Sequence, residues 1–359
     1  MPARFLLAIA LSACVYDTHF NDCTVHCTTD SGCPDDMTCE EGYCHANASL
    51  ETETETASCT TVVSTSPSCM GLAATCGPNA DEDCCSTATP IPGGMFYRSY
   101  DRAGDGMYMD MSYPATVSSF VLDRFEVTVG RFRAFVTAGQ GTRTYPPMAG
   151  TGTHAKIPGS GWDPIWDAVL VQDTAALVTS LKCDPTYQTW TDAAGANENL
   201  PISCITWYEA MAFCVWDGGY LPTESEWNYA AAGGAEQRAY PWSNPASAST
   251  IDCSYASYLG CANLPSDVPL RVGSESPRGD GRWEQADLAG SLWEWTLDEY
   301  QPYMNPCDDC ADLVDLAAYR VFRGGSSYND PVALRTANRN SVEPARPIHT
   351  IGLRCARSL

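Results

Sequence analysis

Few stretches of this chain hold residues able to do chemistry. FRGGSSYNDPVALRTANRN (322–340) opens on a Gly-Gly turn and sets Arg335 and Arg339 among hydroxyl and amide groups, with no cysteine. Guanidinium groups in such a setting either hold carboxylates or sulfated groups of a ligand through paired hydrogen bonds, or pair with the chain's own acids. In DLAGSLWEWTLDEY (287–300), Asp287 and Glu294 flank a glycine-containing turn whose carbonyls can face inward, an oxygen-rich set suited to calcium. The same stretch also reads as a core strand that buries an indole of Trp293 or Trp295 and leaves Glu294 solvated. Cys307-Asp308-Asp309-Cys310 has dithiol spacing, but neighbouring aspartates oppose thiolate formation, so a loop disulfide is expected. His154 and His349 are the only histidines after residue 90, too few for a histidine-rich zinc centre. No phosphate-cradling glycine loop of either common type is present.

The elements that must position these residues can be read from caps and periodicity. Thr128 caps a helix through VGRFRAFV that ends at Gly139. Thr206 and Glu209 have capping-box spacing ahead of an apolar face at Trp207, Ala210, Met211, Cys214 and Val215. Thr223 and Glu226 repeat the box before WNYAAA, and Gly233-Gly234 stops that helix. Short strand-like pieces such as SSFVLDRFEVTV (118–129) and IGLRC (351–355) lie between Gly, Pro and Asp punctuation. A few helices among short strands and many loops predict an irregular α+β domain over 90–359.

Residues 15–89 have a different composition. Cys23, Cys27, Cys33, Cys39 and Cys44 form one cluster, ETETET (51–56) reads as a solvated linker, and Cys59, Cys69, Cys76, Cys84 and Cys85 form a second cluster. Such a segment needs disulfides to hold it, and bridges between the clusters are one option. It reads as a stalk. Nineteen cysteines in 359 residues indicate an oxidising compartment. MPARFLLAIALSAC (1–14) reads as a short secretory signal whose Leu11-Ser12-Ala13-Cys14 looks like a bacterial lipobox, with Cys14 lipidated. The expected location is the cell envelope or outside the cell, with the membrane reached only through that lipid. A net charge of −24 repels nucleic acid and anionic headgroups.

Three places now converge on a family. SFVLDRFEVTVGRFRAFV (119–136), PISCITWYEAMAFCVWDGGYLPTESEWNYAAAGG (201–234) with YPW (240–242), and DLAGSLWEWTLDEY followed by VFRGGSS and IGLRCA resemble, in order, the formylglycine-generating enzyme (sulfatase-modifying factor) family. The resemblance implies an irregular C-type-lectin-like fold over about 90–359 and a Cys214–Cys355 bridge. Proximity in sequence suggests Cys183–Cys204, Cys253–Cys261 and Cys307–Cys310. The resemblance also implies one calcium site, with carboxylates from Asp287 and Glu294 and carbonyls from Gly290 and Leu292. A second family calcium site has no clear counterpart around IDCSYASYLGC.

The family's oxidases bind copper(I) through two cysteines spaced Cys-x4-Cys after the Gly-Gly-Ser. Counting from Ser326 puts Asn329 and Leu334 there, and no cysteine lies between Cys310 and Cys355. Copper(I) wants two thiolates, so copper-dependent oxidation is not expected. The sequence therefore points to a monomeric, non-oxidase binding or structural module. Its ligand would be a protein, peptide or glycan, met by Ser326, Asn329, Arg335 and Arg339. An oxidase or other oxidoreductase using altered ligands on the same scaffold is the alternative.

Overall fold

The computed structural model describes residues 37–40, 43–46, 66–261, 269–313 and 319–359. The chain divides into two units, Met1–Val63 and Ser64–Leu359. In the first, β1 (Met37–Glu40) and β2 (Tyr43–Ala46) pair antiparallel, with Cys39 opposite Cys44. The signal segment with Cys14 and the ETETET linker lie outside the described residues.

The second unit begins at Ser64 rather than at Pro90, and the reason is a set of specific anchors. Ser68 donates its backbone N–H to Asp217 Oδ1 at 3.0 Å and accepts from Arg131 Nε at 3.0 Å. Cys69–Cys85 and Cys76–Cys84 close within the second cysteine cluster. Residues 66–89 are thus docked on the domain, and the stalk reading does not hold for them.

The expected helices form where their caps place them. Thr128 caps α1 (Val129–Thr137) by accepting from the Arg131 N–H. Both capping boxes are closed, at α3 (Trp207–Trp216) by Thr206 and Glu209 and at α4 (Glu224–Ala231) by Thr223 and Glu226. A further short helix, α2 (Thr174–Ser180), is capped by Asp173. The strands are shorter than the sequence pattern suggests. Of residues 118–129 only Phe120–Leu122 is strand (β5), because Asp123 turns its carboxylate inward to Arg131 and Thr128 already serves as a cap.

The central sheet has four strands in the order β10-β6-β8-β9. Here β6 (Trp293–Glu299) runs antiparallel to β8 (Arg320–Arg323) and parallel to β10 (Ile351–Gly352), and β9 (Asn340–Val342) lies outside β8. A second sheet joins β3 (Gly94–Tyr97) to β4 (Pro114–Val117), with β7 (Cys307–Asp308) parallel to β4. The last strand, β11 (Ala356–Ser358), pairs with β5. The result is an α+β domain.

Its largest apolar cluster packs Phe132, Phe135, Trp207 and Phe213 of α1 and α3 against Trp293, Trp295 and Phe322 of the sheet. Cys214–Cys355 ties α3 to the residues leading into β11. Cys183–Cys204, Cys253–Cys261 and Cys307–Cys310 also pair as expected.

Candidate functional site

The Gly-Gly-Ser turn follows β8. Gly324 and Gly325 both have positive φ (104° and 75°), and a Cβ on Gly325 would come within 2.7 Å of Leu334 Cδ1. Glycine is therefore required at 325 by conformation and by space. Ser326 is buried, and Asn329 closes the turn over it: Asn329 Oδ1 accepts from Ser326 N at 3.0 Å and from Ser326 Oγ at 2.7 Å. Asp330 then caps a short 3-10 helix, Pro331–Leu334, which carries Leu334 inward. Leu334 is 0% exposed and packs with Tyr240, Ala256 and Ala289. The two positions in register with copper cysteines are thus a turn lock and a core side chain. Neither offers a soft donor.

The two arginines diverge. Arg335, 3% exposed, grips Asp101 through Nε and Nη2 and donates from Nη1 to Asp105 Oδ2 at 2.7 Å. Burial pushes Asp101 upward, and the guanidinium pulls it back. Arg339 donates to Glu224 Oε2 at 2.7 Å and to the Gln301 carbonyl at 3.1 Å, and it stacks over Tyr300 and Tyr303. Arg323 meets the other oxygen of Glu224. Both candidate arginines are therefore engaged by the protein's own groups. Asp101 in turn lines an open recess of about 380 Å³ together with Tyr100, Arg102, Gly104, Met109 and residues 245–247.

The calcium constellation takes a different form from the one expected. Asp287, Gly290 and Ser291 all have positive φ, which coils the turn ahead of β6. Glu294 is neither solvated nor directed at that turn as an ion ligand. It is 0% exposed; Arg354 clasps both its oxygens at 2.7 and 2.6 Å, and Trp227 Nε1 donates to Oε2 at 2.7 Å. Asp287 accepts from the Gly273 N–H, and burial followed by the nearby Glu275 pushes it up to about 8. Without Glu294, the expected set leaves one carboxylate and two carbonyls, well short of the roughly six to eight oxygens calcium takes. Among the described residues no group of three or more His, Cys, Asp and Glu side chains could hold a metal ion. The expected ligand set does not fit calcium, because an internal guanidinium already occupies the cation's place beside Glu294.

Sequence reasoning missed Glu126, which accepts from Ser291 Oγ at 2.8 Å and from Leu292 N at 3.1 Å. Burial, then Asp287 and Glu294, hold it well above the ordinary carboxylate range. Its only signal was an acid set between two apolar residues, Phe125 and Val127. The two histidines also find internal partners. His154 Nε2 lies 3.2 Å from Glu226 Oε1 under Tyr220, and His349 Nδ1 lies 3.6 Å from Asp184.

Residues 73–359 match the sulfatase-modifying factor enzyme 1-like domain. The chain belongs to that family. The formylglycine-generating enzyme of Streptomyces coelicolor is 30% identical over 292 residues, spanning 74% of this chain and 87% of the relative. A Bos taurus protein named inactive C-alpha-formylglycine-generating enzyme 2 is 28% identical over 299 residues, spanning 74% and 86%. The hercynine oxygenase of Mycolicibacterium smegmatis is 27% identical over 292 residues, spanning 75% of this chain and 61% of that one. The structure of PvdO from Pseudomonas aeruginosa shares the fold, with a TM-score of 0.53 at 19% identity over 75% of this chain and 93% of that one. Sulfatase-modifying-factor relatives thus carry names for active enzymes, an inactive form and an oxygenase, so membership of the family does not by itself fix a reaction.

Proposed function

We propose that this chain is a cell-envelope protein whose sulfatase-modifying-factor domain binds a partner and carries out no copper-dependent oxidation of it. The observation that carries the reading is the fate of the two copper positions, Asn329 spent on the Ser326 turn and Leu334 sunk in the core. A copper(I) centre needs two soft donors within reach of one ion. The two cysteines that bracket this segment, Cys310 and Cys355, are both bridged elsewhere. The recess beside the Asp101–Arg335 pair offers an aromatic ring, a guanidinium and a thioether from Tyr100, Arg102 and Met109. That mixture suits a protein, peptide or glycan segment. Arg335 serves the recess indirectly, by holding Asp101 in its wall. In this reading a lipid on Cys14 tethers the domain to the envelope.

The test is to incubate the full chain with copper(I), oxygen and a Cys-x-Pro-x-Arg peptide, beside the Streptomyces coelicolor enzyme. The expected result is an unchanged peptide mass with this chain and aldehyde with the reference enzyme. Aldehyde formed by this chain above a protein-free control would overturn the reading.

A further inference from the structure

The Cys307-Asp308-Asp309-Cys310 loop has an environment that its sequence does not suggest. The carboxylate of Asp309 is turned away from the sulfurs. It accepts from Ser118 N and Ser118 Oγ, both at 2.6 Å, across the β4 edge. What faces the sulfurs is a cation and a hydroxyl. Arg98 Nη1 lies 3.6 Å from Cys310 Sγ, and Ser225 Oγ lies 3.6 Å from Cys307 Sγ. Ser225 belongs to the first turn of α4, whose amide end favours negative charge. Cys307 is buried, whereas Cys310 is only partly so.

Other charged groups share the small cavity at Cys310. They are Glu224, Asp298, Glu299, Asp312 and Arg339, and Glu299 faces Arg320 Nη2 at 3.5 Å. Glu224 is already shared by Arg323 and Arg339, and burial pushes Asp298 and Asp312 towards neutrality. Asp308 is exposed to solvent. Among the described residues the guanidinium of Arg98 has no carboxylate of its own: its Nη2 is on the Met304 carbonyl and its Nε has no hydrogen-bond partner there.

We propose that Cys307–Cys310 is an exchange-competent disulfide that oxidises a dithiol partner, with Cys310 as the attacked sulfur. This activity is independent of whether the recess at Asp101 binds a ligand. A partner thiolate attacks Cys310 Sγ, the Cys307–Cys310 bond breaks, and a mixed disulfide forms. Cys307 leaves as a thiolate beside the Ser225 hydroxyl. The partner's second thiolate then attacks its own sulfur in the mixed disulfide and releases Cys310 as a thiolate beside Arg98. The partner is oxidised by two electrons and the pair is reduced by two. The partner's two thiol protons pass to Cys307 and Cys310, or to solvent. A cation that stabilises the released thiolate favours the reduced form and makes the disulfide more oxidising.

Accessibility alone makes a different forecast, which provides the control. Cys253 is exposed, and Cys253–Cys261 closes a loop almost as short, eight residues apart against three. The full chain is equilibrated with graded ratios of reduced to oxidised glutathione, quenched with acid and alkylated, and each bridge is read by mass spectrometry. Cys307–Cys310 is expected to open at a ratio at least tenfold lower than Cys253–Cys261. Arg98→Gln should raise that ratio several-fold without moving Cys253–Cys261, and Arg98→Lys should restore it. Ser225→Ala, which leaves Arg98 in place, should also raise it and keeps the test open if Arg98→Gln does not fold. Opening of Cys253–Cys261 first, or an unchanged Cys307–Cys310 ratio in a folded Arg98→Gln or Ser225→Ala variant, overturns the proposal.

Discussion

Glu294 shows how far a side chain's type can be read from sequence and where its partner cannot. An acid between two tryptophans in a turn-strand segment carries the same letters whether its counter-ion is a metal or a guanidinium. The decision is made by Arg354, sixty positions away in the chain, which no local pattern connects to it. The same holds at Arg335 and Arg339, whose acids Asp101 and Glu224 are distant in sequence. By contrast the absence of thiols at 329 and 334 was fully legible, because a missing residue type needs no partner to be seen. The pairing at Glu294 makes a direct prediction. Removing one partner of a buried ion pair leaves the other charge uncompensated, at a cost of about 3–5 kcal/mol. Glu294→Ala is expected to lower unfolding free energy by that amount in urea titrations, equally with calcium and with chelator. A calcium-dependent rise in wild-type melting temperature that Glu294→Ala abolishes would show that the carboxylate serves the ion instead.

Helices were legible as elements because their start signals are local: a threonine and a glutamate three residues apart determine α3 and α4 wherever the chain goes next. The strands were legible only in part, since β10 has two residues and owes its existence to the β6 edge it meets. The junction between elements is where the sequence was silent and where a pH effect is built in. At the N-terminus of α4, Asp298 of β6 accepts from Glu224 N at 2.6 Å and from Asp312 N at 3.0 Å. Burial, then the nearby Glu224, pushes Asp298 from an ordinary 3.8 up to about 7. Between those values the folded chain keeps a proton that the unfolded chain has released, so stability falls as pH rises through that window. Melting temperature should therefore decline from about pH 4 to about pH 7. Asp298→Asn should give a shallower decline even though one backbone N–H then faces an amide. A variant whose slope equals that of the wild type would assign the effect to other buried acids.

For the molecule as a whole, the long closure between α3 and the C-terminal residues matters more than any single contact. Cys214 and Cys355 are both fully buried, and their bridge joins positions 141 residues apart. On the chain-entropy account, a loop of that length is worth about 5 kcal/mol and one of three residues about 2 kcal/mol. The fold's sheets are small and its loops long, so the cross-link supplies order that regular hydrogen bonding does not. Replacing both cysteines of Cys214–Cys355 by alanine should cost about 5 kcal/mol or more in urea unfolding, since a core cavity adds to the lost constraint. The same replacement at Cys307–Cys310 should cost about 2 kcal/mol. The contrast is the test, because both variants remove one bridge and two sulfurs. Equal losses would mean that the bridges act through local packing and not through closure of the chain. A small loss at Cys307–Cys310 beside a large one at Cys214–Cys355 would also mean that the short pair can open in the folded molecule, while the long one opens only with the domain.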